Sequence, residues 1–154
     1  MKIWWQADIQ IYYQVAFSAH SIKRLATISK SNEISTFYYI QSLLAALANI
    51  SKMLQKSEEY RAHLEVELTK IPNIMNRRIR NINEHMEDYL FNKENIATFT
   101  SDMAVGDYKA DASDMGSIIR YFNEEEQSIQ FVDKRGLLNC LLLREIETEL
   151  AYLS

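Results

Sequence analysis

The chain has 154 residues, of which 47% are hydrophobic, and its formal net charge is −4. This length suits a single domain with one core, and a content of only 3 Gly and 1 Pro argues against a β-sandwich or barrel, which needs frequent turn residues. The acidic balance does not indicate nucleic-acid binding by the whole surface, although a local basic cluster can still hold a phosphate.

The first two predicted elements are long helices. Apolar residues recur at about the helical period over residues 6–27, and residues 35–54 are apolar almost all round, as in the central helix of a bundle. In the second helix, small residues form a strip that lets a neighbouring helix approach closely: Ser42, Ala45, Ala46 and Asn49. Asn49 needs hydrogen-bond partners in such a segment, and is either a satisfied core residue or a polar group that orients a residue of a later helix.

Two further helices are predicted in the middle of the chain. Ser57 can cap a short helix over residues 57–69, in whose charged sequence His63 is interpreted as a solvated residue. A longer helix over residues 71–92 begins with Pro72 in its first turn. Its apolar stripe is centred on Ile82 and is expected to face the core: Ile71, Met75, Ile79, Ile82, Met86 and Tyr89.

The last third of the chain has a different character. Residues 97–116 have no clean period and are expected to form a long loop, whereas residues 117–132 contain two β-type runs around a polar NEEEQ and predict a hairpin. Helical period returns over residues 137–153, with four residues expected to face inward: Leu138, Leu142, Ile146 and Leu150. Cys140 within this run is interpreted as a small buried apolar residue.

These elements predict one mainly α domain over residues 1–154. The expected architecture is an antiparallel up-and-down bundle of about four to five helices, with a small β-hairpin before the last helix. A lone cysteine cannot form an internal disulfide, and the sequence has no run of about 18 apolar residues. We therefore expect a cytoplasmic protein without a membrane span.

The polar face of residues 71–92 carries the candidate chemistry. Arg80 presents a fork of donors suited to phosphate oxygens, and His85 can exchange a proton near neutral pH. Together they can cleave RNA without a metal, because the His moves a proton at the ribose or the leaving oxygen while the Arg stabilises charge on the phosphate. Asn81 lies four residues before His85, on the same flank, and can orient its ring or contact the substrate.

The spacing of this pair limits what one helix can do. Arg80 and His85 are five residues apart, so their Cβ directions differ by about 140° on an ideal helix. Either the long Arg side chain bends round within one copy, or two copies face each other across a two-fold axis. The second arrangement would form a composite groove and double the positive charge of Arg77, Arg78 and Arg80. The alternative without a chemical role is a solvated face, in which Arg80 pairs with Glu84 four residues later and His85 lies at the boundary of the core.

These residues resemble a known family. Arg80-Asn81-Ile82-Asn83-Glu84-His85 is similar to the Arg, polar residue, His signature of HEPN domains (higher eukaryotes and prokaryotes nucleotide-binding), and Met86-Glu87-Asp88-Tyr89 is similar to the acidic-aromatic continuation of some bacterial members. Upstream, Gln41-Ser42-Leu43-Leu44 and Ala48-Asn49-Ile50-Ser51-Lys52 resemble the second-helix pattern of the same group.

The resemblance implies a dimeric helical bundle with paired motifs at the interface. Active members are metal-independent endoribonucleases, often toxins or anti-phage effectors, and some are inhibited by a partner such as a nucleotidyltransferase-like antitoxin. By position, Arg80 and His85 would be catalytic, Asn81 would be the supporting polar residue, and Glu84 matches an acidic position of some members. We accordingly expect a homodimer that cleaves RNA with no metal or other cofactor, and Arg77 and Arg78 as RNA-binding residues.

Two alternatives remain open from the sequence. The first is a non-catalytic HEPN-like module that binds another protein or a nucleotide through the same polar face. The second is a plain structural bundle, in which the cluster from Arg80 to His85 has no chemical role.

Overall fold

The computed structural model describes residues 3–28, 33–76, 78, 101–106, 118–132 and 138–154. Within these ranges the chain is mainly helical, with a small sheet before the last helix, as the sequence predicts. The helical elements are α1 (Trp5–Leu25), α2 (Glu33–Lys56), α3 (Glu58–Leu64), a 3₁₀ turn (Leu68–Lys70) and α4 (Leu143–Leu153). The strands are β1 (Ser101–Gly106), β2 (Ile118–Asn123), β3 (Ser128–Val132) and β4 (Leu138–Leu142).

α1 and α2 form an antiparallel pair. Near the loop end of the pair, the Arg24 Nε donates to Tyr39 Oη at 3.3 Å, and further along Asn49 Nδ2 donates to Gln14 Oε1 at 3.3 Å. Both helices end within two residues of the predicted bounds, because each has a strong apolar period.

α2 is central but is not buried all round. Its core side recurs at helical spacing and is at most 1% exposed: Ile40, Leu43, Leu44, Leu47, Ile50 and Leu54. Each such side chain stabilises the fold by about 1.5–3 kcal/mol on burial. The other side of α2 carries exposed residues, Tyr38 and Asn49 among them. The segment that is apolar almost all round in sequence is therefore buried along one side of the helix and exposed along the other.

α3 is shorter than predicted. Ser57 caps it as expected, since its Oγ accepts a hydrogen bond from the Tyr60 N–H at 3.1 Å. The helix ends at Leu64, because Glu65 adopts a left-handed conformation (φ 55°, ψ 38°) whose N–H bonds back to the last turn.

The four strands form one sheet in the order β1-β2-β3-β4. β2 and β3 are antiparallel and are joined by the polar turn over residues 124–127, which confirms the predicted hairpin. β1 pairs with β2 in parallel, and β4 pairs with β3 in antiparallel register. One face of the sheet packs on the helices through four buried side chains: Phe122, Ile129, Phe131 and Leu141.

Two sequence predictions near the sheet are wrong. Residues 97–116 were expected to be loop but include β1, and residues 137–153 were expected to be helical but begin with β4. Short apolar runs do not distinguish strand from helix by themselves, and here the pairing of residues 138–142 with β3 decides. Of the inward residues expected in the last helix, Ile146 and Leu150 are buried, whereas Leu142 is only partly buried and Leu143 takes a core position.

The predicted helix over residues 71–92 does not begin at Ile71. This residue has φ −131° and ψ 53°, outside the helical region, because the proline that follows disfavours that region. A single turn follows, closed by a 3.0 Å hydrogen bond from the Met75 N–H to the Ile71 carbonyl. Ile71 is nevertheless fully buried, as the apolar stripe predicts. Arg78 is helical, and residues 77 and 79–92 lie outside the described part of the chain.

Candidate functional site

Two of the seven predicted site residues, Asn49 and Arg78, lie in the described part of the chain. The other five lie outside it: Arg77, Arg80, Asn81, Glu84 and His85.

A buried carboxylate fixes the segment that leads to the motif. Glu149 of α4 is 5% exposed, and its Oε1 accepts hydrogen bonds from the backbone N–H groups of Asn73 at 2.8 Å and Ile74 at 3.1 Å. Its Oε2 accepts a third from Asn73 Nδ2 at 2.6 Å. Charge-assisted bonds of this kind are about twice as strong as neutral ones, and they satisfy both oxygens of an otherwise costly buried group. The turn before the motif is thereby tied to the last helix.

The side chain of Asn76 contacts the backbone at the start of the motif segment. Its Oδ1 accepts a hydrogen bond from the Arg78 N–H at 2.9 Å, two residues on, which is the interaction of an N-cap. An Asn is a common residue at a helix start, and this contact and the helical Arg78 indicate a start after Asn76 and not at Ile71.

Arg78 contacts the sheet. Its Nη1 donates to Asn139 Oδ1 of β4 at 3.1 Å. This contact holds the start of the motif segment against β4. The role of Arg78 in RNA binding stays a prediction.

Asn49 has a different environment from the one expected. It is exposed, and its described hydrogen bond joins it to Gln14 of α1. The interpretation as a buried core residue is therefore wrong, because the side of α2 on which it lies faces away from the core. The other interpretation, that it orients a residue of the 71–92 helix, stays a prediction.

The small residues of α2 line an open cavity. The cavity has a volume of about 470 Å³ and lies between the outer sides of α1 and α2. Its walls come from ten residues: Gln14, Phe17, His20, Ser21, Tyr38, Tyr39, Ser42, Ala45, Ala46 and Asn49. The four small or polar residues of α2 that were predicted to let a neighbouring helix approach closely therefore border this cavity. Within the described part of the chain, no helix fills it.

A second polar cluster joins α1 to α3. Tyr60 Oη donates to Asp8 Oδ1 at 2.9 Å, and His63 Nε2 lies 3.3 Å from Asp8 Oδ2. The rings of Trp4 and Tyr60 lie 5.2 Å apart, and those of Tyr60 and His63 stack at 6.0 Å. His63 is exposed, as predicted, and its contact with Asp8 spans 55 positions, for which the sequence has no local signal.

This cluster is better suited to structure than to catalysis. Burial, then the hydrogen bond to Asp8 and the charge of that carboxylate, hold the pKa of Tyr60 well above its ordinary value. The phenol therefore stays protonated and is a poor nucleophile or base near neutral pH. Its contribution is to tie the start of α1 to α3.

Cys140 is not the buried helical residue that the sequence predicts. It lies on β4 and is exposed. The alternation of strand side chains explains this, since its neighbours Asn139 and Leu141 face inward. Partial desolvation, together with the nearby carboxylates of Glu126 and Glu145, outweighs a hydrogen bond to Ser128 and raises the pKa of the Cys140 thiol.

The described residues contain neither a metal-binding cluster nor a membrane-spanning helix. No group of three or more His, Cys, Asp or Glu side chains converges there in a way that would hold a metal ion. None of the helices in those ranges is both long and apolar enough to cross a bilayer.

Comparisons of the chain with known protein families, with characterised proteins and with solved structures find no match. Both upstream segments of the HEPN resemblance, residues 41–44 and 48–52, lie in α2, which is the second helix of the chain.

Proposed function

We propose that the chain is a metal-independent, HEPN-like endoribonuclease that acts as a cytoplasmic homodimer in a toxin–antitoxin or defence system. The observation that carries the proposal is the sequence from Arg80 to His85, which combines a phosphate-binding cation with a proton-transfer group. The placement of the second resemblance block in the second helix supports it.

The proposed reaction needs only these groups and the RNA. The ribose 2′-oxygen attacks the adjacent phosphorus as His85 removes its proton, and the bond to the 5′-oxygen breaks as the imidazolium so formed returns that proton to the leaving oxygen, which gives a 2′,3′-cyclic phosphate and a free 5′-hydroxyl. Arg80 stabilises the charge that develops on the phosphoryl oxygens, and Asn81 orients the imidazole. In a dimer the second copy supplies one member of the pair, because their directions on one helix differ by about 140°.

The contacts of the preceding segment supply a rigid base for this site. Productive catalysis requires side chains held within about 0.5 Å of their working positions. Glu149 fixes the turn at Asn73 and Ile74, and Arg78 contacts β4. The motif thus follows directly from a segment that is anchored at two points.

The test is cleavage of single-stranded RNA in EDTA by the purified chain and four variants. Arg80→Ala and His85→Ala should each lose cleavage at an unchanged Tm. Two matched controls, Arg144→Ala on the exposed side of α4 and His63→Ala on α3, should cut like the original chain. Equal cutting by all five proteins would contradict the proposal and would indicate a contaminating nuclease.

A second candidate is a non-catalytic HEPN-like module that binds a protein or a nucleotide. The cavity between α1 and α2 favours it, because its aromatic walls and the carboxamides of Gln14 and Asn49 suit a planar ring with polar edges. This candidate predicts that the chain does not cut RNA, that a mononucleotide raises its Tm, and that Asn49→Ala weakens that rise. A plain structural bundle predicts neither effect.

A further inference from the structure

The outer side of α1 and α2 carries large apolar side chains in solvent. We call this surface the aromatic face: Trp5, Ile9, Tyr12, Tyr13 and Phe17 of α1, and Tyr38 of α2. Each of them is between 43% and 69% exposed. On an ideal helix the five α1 residues fall within about 140° of one another, opposite the stripe that this helix buries in the core.

The aromatic face is continuous. The rings of Tyr12 and Tyr13 lie 5.7 Å apart, and those of Tyr13 and Phe17 lie 6.0 Å apart. Phe17 in turn lines the cavity between the helices together with Tyr38, so the surface extends from one helix to the other.

The exposed area is large enough to be part of an interface. An aromatic side chain buries about 150–250 Å², so five of them, each roughly half exposed, offer on the order of 500–600 Å². The largest apolar patch of an ordinary monomer is about 300–600 Å², and a standard interface covers about 800 Å² per partner. The aromatic face alone therefore supplies most of the area that a stable dimer needs.

The charge of the face selects the kind of partner. Residues 9–22 of α1 contain no Asp, Glu, Lys or Arg, in a chain whose net charge is −4. Two copies with the same net charge repel each other elsewhere and can approach most easily through a surface without like charges. RNA finds no countercharge on this stretch, since nucleic-acid affinity depends on Lys and Arg contacts to phosphates.

The shape of the face selects a second copy of the same chain. Protruding rings lie beside an open cavity of about 470 Å³, one side of which is made by the small residues Ser42, Ala45 and Ala46. A two-fold axis brings a protrusion of each copy to the cavity of the other, which is the self-complementarity that a symmetric dimer requires. A surface that carries both the protruding rings and the cavity can therefore pair with a second copy of itself.

We propose that the aromatic face is a homodimer interface, in which aromatic side chains of one copy enter the α1–α2 cavity of the other. The inference rests on the proposed function in one respect, because both take the chain to be a homodimer; the surface itself is assigned from α1 and α2 alone. Its test measures association and not cleavage, so the two proposals can fail separately.

The decisive variant is Ala16→Arg. Ala16 is exposed and lies within the stripe of the aromatic face, so the substitution removes no core side chain and adds a charge and bulk at the interface. Sedimentation velocity and light scattering of the full chain over a hundredfold concentration range should show a dimer, and Ala16→Arg should weaken its association at least tenfold at unchanged Tm. The matched control Ala151→Arg, at an exposed position of α4, should remain dimeric.

Two outcomes would overturn the interface. One is a monomer at every concentration, which would mean that another part of the chain or a different partner covers the face. The other is equal association of Ala16→Arg and the original chain, which would place any dimer contact elsewhere. Arg80→Ala with His85→Ala should remain dimeric, so loss of cleavage in that double variant does not touch this inference. A dimer that never cuts RNA would keep the interface and refute the nuclease.

Covalent trapping gives an independent readout. In the Cys140→Ser chain, which has no other cysteine, single substitutions Tyr12→Cys, Ala16→Cys and Ala19→Cys place thiols along the face. A residue near a two-fold axis meets its own counterpart, so mild oxidation should give a disulfide-linked dimer for at least one of them. Ala151→Cys should give none, and equal trapping at Ala151 would contradict the assigned surface.

Discussion

Glu149 and Asn73 are 76 positions apart, and the carboxylate of the first accepts both the backbone N–H of the second at 2.8 Å and its side-chain amide at 2.6 Å. This relationship joins the last helix to the turn that precedes the predicted motif. It places a buried charge where two backbone donors would otherwise lack partners. The arrangement makes α4 a support for the segment on which the proposed function depends.

Removal of this carboxylate should destabilise the fold. Glu149→Ala leaves the buried N–H of Ile74 and the part-buried N–H of Asn73 without their acceptor. A fully buried unmet group costs about 1–3 kcal/mol and a part-buried one costs less, so we expect a total loss of about 2–3 kcal/mol. At about 2–4 °C per kcal/mol for a chain of this size, Tm should fall by roughly 4–12 °C for a loss of about 2–3 kcal/mol. Thermal unfolding followed by circular dichroism measures the change.

The same helix offers the control. Glu145 lies one turn earlier and also contacts Asn73, but through a 3.3 Å bond in an exposed position. Glu145→Ala should therefore cost well under about 1 kcal/mol, as exposed contacts do. Equal losses for the two variants would show that the buried carboxylate has no special role.

The fold and the site differ in how far they follow from sequence. The bounds of α1 and α2 were predicted within two residues, because amphipathic period is a local property. β4 was not predicted, because residues 138–142 become a strand only through their pairing with β3. The bond between Glu149 and Asn73 could not be predicted either, since nothing local links residues so far apart. The cap at Asn76, in contrast, could be predicted, because an Asn at a helix start is a signal in the local sequence.

Tyr60 should make the fold sensitive to alkali. Its pKa in the folded chain is raised above the value of about 10 that it has when unfolded, chiefly by burial and then by Asp8. Above pH 10 the folded chain therefore holds a proton that the unfolded chain loses, and the free energy of unfolding falls with rising pH. The contribution is fully present below about pH 10. One such group can change the slope by at most about 1.4 kcal/mol per pH unit.

Urea unfolding between pH 9 and 11.5 tests this. At neutral pH the free energy of unfolding of Tyr60→Phe should be about 0.5–1.5 kcal/mol lower than that of the original chain, because the variant lacks the hydrogen bond to Asp8. Above pH 10 its free energy of unfolding should fall less steeply with pH. Tyr152→Phe, which alters an exposed tyrosine of α4 outside the aromatic face, should keep the slope of the original chain. A Tyr60→Phe slope equal to that of the original chain would remove Tyr60 as the cause.

Arg78 should contribute to RNA binding by its charge. In the cleavage-inactive His85→Ala background, Arg78→Ala should weaken binding to single-stranded RNA and lower the slope of log affinity against log salt by about one. Asn139→Ala removes the 3.1 Å contact with this guanidinium but keeps the charge, so its salt slope should stay unchanged. Fluorescence anisotropy at several salt concentrations separates the two. Identical slopes for all three proteins would limit Arg78 to its contact with β4.

Cys140 should be accessible and slow to react. Because the thiol is exposed on β4, a maleimide should label the folded chain to one equivalent, whereas a cysteine buried in a helix would react only on unfolding. Because its pKa is raised, the thiolate is scarce, and the rate near pH 7.5 should lie below that of a free cysteine peptide and keep rising past pH 9. Glu126→Gln removes one of the carboxylates that disfavour the thiolate and should speed labelling at neutral pH, while Cys140→Ser should abolish it. A rate that Glu126→Gln leaves unchanged would exclude Glu126 as a cause of the slow reaction, and absence of labelling before unfolding would contradict the exposed position.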